Sequence, residues 1–81
     1  MTRTDAIVNI ARQFQADIET DSETRRGRLS YQSQYGGMDH VAIHRPDGSI
    51  LDTIYVRMRT DGRGGHAHLG STPDWRGTYS L

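Results

Sequence analysis

The histidines of this chain are where chemistry would first be sought. Of the four, His66 and His68 form a His-x-His pair. On a β-strand such a pair projects from one side, with about 6–7 Å between the two positions. Joined by His40 or His44, it could hold a zinc ion whose open coordination position activates water for hydrolysis. No Asp, Glu or Cys stands at a standard ligand spacing to complete the set. The pair is therefore read as two solvent-facing imidazoles, and neither metal nor cofactor is expected.

A second chemistry needs no metal. Histidine moves protons near neutral pH, arginine stabilises the charge of a phosphorane, and tyrosine stacks or orients. If the histidines share a sheet face with Tyr55, Arg57 and Arg59, that face carries the side chains of a metal-independent ribonuclease or an RNA-binding domain. A helix followed by an antiparallel sheet is also how many small toxin-type ribonucleases are built. That is an analogy of fold only, and folds do not fix functions. Asp61-Gly62-Arg63-Gly64-Gly65 invites a phosphate-loop reading, but such a loop carries Lys then Ser/Thr and opens a helix. This segment has no lysine and leads into a strand pattern, so it reads as a hairpin turn. Tyr31, Tyr35, Trp75 and Tyr79 are further aromatic candidates outside the first helix, and of these the lone tryptophan Trp75 is a candidate binding residue, because Tyr and Trp are enriched in binding hot spots.

The elements that must position these residues follow from periodicity. Ile7, Ile10, Ala11, Phe14 and Ile18 form one apolar stripe at helical spacing, with Arg12, Gln13 and Asp17 on the other side. Thr2 or Thr4 can cap the start, and Asp5 favours the first turn, so the spacing predicts a helix over about 4–19. Thr20 to Arg26 has no apolar residue and reads as a solvated connector with at most a frayed helical turn. Period-2 alternation then predicts strands over about 28–35, 39–45, 50–60 and 66–69, with the first three clearer than the fourth. In the first of these, Leu29, Tyr31, Ser33 and Tyr35 share one face. Residues 70–81 read as an irregular tail.

Short Gly-rich connections imply a sequential antiparallel arrangement, since parallel strands need long crossovers. The expected fold is one α+β domain over 1–81: an N-terminal amphipathic helix packed on a three- to four-stranded antiparallel meander. The helix should bury its stripe on Leu29, Val41, Ile43, Ile54, Val56 and Met58. If Pro46–Ser49 is a four-residue loop, Arg45 pairs with Ile50. Val41 then lies opposite Ile54 toward the helix, and His40 opposite Tyr55 on the far side. If Asp61–Gly64 is the next loop, Thr60 pairs with Gly65, Ala67 faces Met58 and His68 faces Arg57. A loop longer by one residue would turn His66 and His68 inward and bury both imidazoles. The open face should thus display His40, His44, Tyr55, Arg57, Arg59, His66 and His68.

Composition narrows the function further. The chain has 81 residues, 33% of them apolar, with a mean hydropathy of −0.76. Such a thin core places a monomer near the low end of domain stability, about 5 kcal/mol or less, so a partner subunit or bound target could supply missing burial. There is no cysteine, which excludes disulfides, thiolate metal sites and thiol catalysis. No stretch has the apolar length to span a membrane, and Met1-Thr2-Arg3-Thr4-Asp5 leads into an amphipathic pattern unlike a signal peptide; a cytoplasmic location is expected. All ten basic residues are arginine and they balance ten acidic ones, which argues against non-specific coating of nucleic acid.

The expectation is a non-catalytic interaction module that covers a surface on a larger partner, a protein or a protein–nucleic acid complex. Tyr55, Arg57, Arg59, His40, His68 and Trp75 are its candidate contact residues. Small phage or mobile-element proteins that block host machinery such as CRISPR complexes act in this way. The alternative is the small ribonuclease or RNA-binding domain above; a third reading is a homodimer completed at a sheet edge.

Overall fold

Thr2 starts the first helix because it completes a capping box. Its hydroxyl accepts from the Asp5 amide at 3.1 Å, and the Asp5 carboxylate accepts from the Thr2 amide at 3.2 Å. Helix α1 runs over Arg3–Asp17 in the computed structural model, which describes residues 2–81 apart from the side chains at 72, 73, 76 and 77. The short helix α2 (Ser22–Arg26) follows, capped by Asp21, whose carboxylate accepts from the Thr24 amide at 2.9 Å. The segment read as a solvated connector thus closes a full helical turn, with Thr24 buried beneath it. Strands β1 (Arg28–Tyr35), β2 (Met38–His44), β3 (Ile50–Met58), β4 (Gly64–Leu69) and β5 (Thr72–Ser80) form one antiparallel sheet in sequential order.

The architecture is the expected α+β arrangement with a larger sheet. The fifth strand occupies the segment read as an irregular tail. β4 and β5 are joined by Gly70-Ser71, with Leu69 opposite Thr72. Tyr79 holds β5 to the helix: its ring meets Phe14 edge-on, with centroids 6.2 Å apart, and its hydroxyl donates to Asp17 at 2.9 Å. α1 lies across one face and packs against all five strands.

The helix stripe is the centre of the core, as its spacing implied. Ile7, Ile10, Ala11, Phe14 and Ile18 are all 5% exposed or less. They meet Val41, Ile43, Ile54, Val56, Ala67 and Leu69 from the sheet, with Leu29, Tyr31, Met58 and Tyr79 packed at the margin. At one corner the core side of β2 carries a charge. Asp39 is 2% exposed and accepts from both terminal nitrogens of Arg3, at 3.1 and 2.9 Å, and from the Tyr31 hydroxyl at 2.8 Å. A buried carboxylate is tolerated only when it is paired in this way.

Strand register agrees with the expected faces, with three differences. Val41 lies opposite Ile54 and His40 opposite Tyr55, as expected, but the hairpin closes with Arg45 against Ser49 and His44 against Ile50 instead of Arg45 against Ile50, and a bulge at Leu51 restores the register. Between β3 and β4, Arg59 pairs with Gly64, so the loop is Thr60–Arg63 and the pairing shifts by two residues. Ala67 therefore faces Val56 instead of Met58, and His68 faces Tyr55 instead of Arg57. A two-residue shift leaves every side chain on its face. In β1 a bulge at Gln32 reverses the alternation: Tyr31 lies opposite core residue Val41, whereas Ser33 lies opposite His40. Leu29 and Tyr31 pack inward, and Ser33 and Tyr35 do not share their face.

Candidate functional site: an aromatic and arginine ladder on the open sheet face

The face away from α1 draws one side chain from each of four adjacent strands into a continuous row. His40 on β2 and Tyr55 on β3 are cross-strand neighbours, with ring centroids 4.5 Å apart at 74°. Tyr55 and His68 on β4 are also directly opposite, 5.0 Å apart at 53°. His68 meets Trp75 on β5 edge-on, at 4.3 Å and 85°. The Arg57 guanidinium closes the row by lying over the Trp75 ring, 5.0 Å from its centroid. Alternation along β2, β3 and β4 selects these residues, and antiparallel register brings them side by side. Five of the six residues singled out from sequence thus belong to one contact chain.

The sixth, Arg59, lies just past the end of β3. Its guanidinium pairs with Asp61, whose carboxylate also accepts from the Arg63 amide at 2.9 Å, so Arg59 stabilises the turn. Those hydrogen bonds, the Arg63 amide first, hold the Asp61 carboxyl below the usual range. Arg57 differs: among the described residues no carboxylate forms an ion pair with it, and its contact is the Trp75 ring.

The ladder is fixed from below. His68 is 7% exposed, and its Nδ1 lies 2.7 Å from the Leu69 carbonyl. A carbonyl only accepts, so Nδ1 carries a proton. His40 Nε2 is closed off from solvent and has no hydrogen-bond partner among the described residues. Trp75 is 39% exposed and Arg57 is exposed, so the row is accessible at its Trp75 end. His44, expected on the same face, is engaged elsewhere: its Nδ1 lies 2.9 Å from the Gly48 carbonyl and its Nε2 2.6 Å from the Ser30 hydroxyl.

His66 and His68 do lie on the same side of β4, opposite Arg57 and Tyr55 respectively. Among the described residues, however, no three His, Asp or Glu side chains gather where a metal ion could sit. No helix among the described residues is long and apolar enough to cross a membrane. Sequence reasoning missed the strand that delivers Trp75; the Gly70-Ser71 pair after Leu69 was the signal that could have found it. Comparison with family models, with curated proteins and with solved structures finds no match for this chain.

Proposed function

We propose that this chain is a non-catalytic interaction module that docks the open face of its sheet onto a larger partner, a protein or a protein–nucleic acid complex. The observation that carries the reading is the row His40–Tyr55–His68–Trp75–Arg57. Its side chains are packed on one another before any partner arrives, so little rotamer freedom is lost on docking. Its exposed end presents Trp and Arg, the residue types that dominate binding hot spots.

The same packing weighs against the ribonuclease or RNA-binding alternative. A base-stacking platform needs a free ring face, and Arg57 covers one side of Trp75. A proton relay needs imidazoles within reach of substrate. Here His68 is buried and bonded to a carbonyl, and His40 Nε2 is shut away from solvent. Inhibition of a host complex by a small phage-encoded protein is one form such a module takes.

The test is capture of the partner from host lysate, followed by affinity measurement with Arg57→Ala and Trp75→Ala. Each substitution is expected to weaken binding by about 2 kcal/mol or more while the fold is retained. Unchanged affinity in both variants would remove the face from consideration. RNA cleavage by the chain that disappears in His68→Ala would favour the alternative.

A further inference from the structure

A second site lies away from the ladder, where α2 runs into β1 beside the end of β2. An open hollow of about 410 Å3 is lined there by Glu23, Arg26, Arg28, His44 and Arg45, among others. Three arginines and one acid line it, a local excess of positive charge in a chain whose net charge is zero. The single acid is already engaged, since Glu23 pairs with Arg45 at 3.5 Å. Arg26 and Arg28 form no ion pair among the described residues.

The walls of this hollow are held in place. A Cβ at Gly27 would run into Ile43 and the His44 carbonyl, so only glycine lets the α2–β1 junction sit this close to β2. The buried Gln15 amide donates to the Thr24 carbonyl at 3.0 Å and to the Gly27 carbonyl at 2.8 Å, tying the same junction to α1. Arg26 and Arg28 flank that anchored glycine. Arg45 is oriented by bonds to the Ser49 hydroxyl and the Ile50 carbonyl, both at 3.2 Å. The His44 ring is fixed through both nitrogens, so it forms a rigid side of the hollow.

We infer that this hollow binds a phosphate dianion through Arg26, Arg28 and Arg45. Guanidinium groups present planar donor forks that match phosphate oxygens and hold their charge at every physiological pH. The volume lies within the range of small-molecule sites, which leaves room for a substituent on the phosphate. The binding group is the phosphate, whether free or at the end of a small phosphomonoester.

The test is a titration of the full chain followed by NMR of the arginine Nε–Hε groups, using inorganic phosphate, a nucleoside 5′-monophosphate and the nucleoside alone. Saturable shifts centred on Arg26, Arg28 and Arg45 are expected with both phosphates and not with the nucleoside. Equal affinity for the two would identify free phosphate as the ligand; tighter binding of the monophosphate would identify a phosphomonoester. Arg28→Gln is expected to weaken binding about tenfold or more, as loss of a charge-assisted contact does. Arg63→Gln, in the β3–β4 turn at the other end of the sheet, is expected to leave it unchanged. Shifts that do not saturate, that spread equally over all arginines, or that persist at the same affinity in Arg28→Gln and Arg26→Gln would overturn the assignment.

Discussion

Arg57 and Trp75 meet across an intervening strand: the guanidinium carbon of Arg57, on β3, lies 5.0 Å from the centre of the Trp75 ring on β5, with β4 between them. Trp75 is the only tryptophan in the chain, so its fluorescence reports this contact without interference. Arg57→Ala is expected to uncover the ring and shift its emission to the red. A cation–π contact at an exposed site contributes about 0.5–1 kcal/mol. The melting temperature should therefore fall by no more than about 8 °C. An unshifted emission maximum would show that the contact does not persist in solution.

The helix stripe concentrates its burial in one ring. Phe14 is 2% exposed, touches Tyr79 edge-on and sits at the middle of the core. Phe14→Ala should cost about 3–5 kcal/mol, comparable to the whole stability of so small a domain. Far-ultraviolet circular dichroism of the variant should show a largely unfolded chain at room temperature. A variant that melts like the parent would contradict the assigned helix face.

At high pH the Tyr31–Asp39 pair should matter. The hydrogen bond that the Tyr31 hydroxyl donates to Asp39 is the main cause that raises the phenol's pKa, with burial and the neighbouring negative charge adding to it. A raised folded-state pKa means that this contribution is fully present below the unfolded value, about 10, and is lost as pH climbs through the folded one. Chemical denaturation across pH 9–12 is expected to show stability falling along an alkaline limb. Tyr31→Phe should flatten that limb.

The acid side depends on exposed carboxylates that hold turns and caps. Asp5 is lowered first by the Thr2 amide, Asp21 by the Thr24 amide, Asp47 by the Ser49 hydroxyl and Asp61 by the Arg63 amide. A depressed folded-state pKa contributes stability above the unfolded value, about 4, and loses it as pH falls through the folded one. Stability should thus drop below about pH 4. Asp5→Asn and Asp21→Asn should each reduce the slope of that drop in denaturant titrations, Asp5 through the start of α1 and Asp21 through α2.

Much of the fold was legible in the residues because its parts obey simple periods. The i, i+3, i+4, i+7 stripe of α1 could belong only to a helix, and the alternation of β2 and β3 put Val41 and Ile54 on the helix side. The failures fall where a period breaks. β1 was recognised over its full length, but its bulge puts Ser33 and Tyr35 off the face of Leu29 and Tyr31; β5 pairs with two shifts of register, and an interrupted strand loses the alternation by which it is recognised. Pro73 and Gly77 further weaken the strand signal of β5, although proline is compatible with an outer strand such as this one. Asp39 was a signal left unread: it shares the core side of β2 with Val41 and Ile43, where a carboxylate demands a partner. Its partner Tyr31 lies on the neighbouring strand of the same hairpin, whereas Arg3 is distant in sequence and only the folded chain brings it there. The ladder was legible as a set of residues on one face, whereas the contribution of Trp75 needed the fifth strand.

The bulge at Gln32 has a consequence for how these molecules behave in company. β1 is an outer strand of the sheet, and an outer strand offers its free amides and carbonyls as a template on which another chain can add. The shift at Gln32 divides that template into Arg28–Tyr31 and Ser33–Tyr35, runs of four and three residues whose pleats are out of phase. An arriving strand that matches one run is mismatched on the other, and each alone is shorter than the roughly 5–6 residues of an ordinary strand. One inserted residue therefore makes the β1 edge a poor template for an added strand.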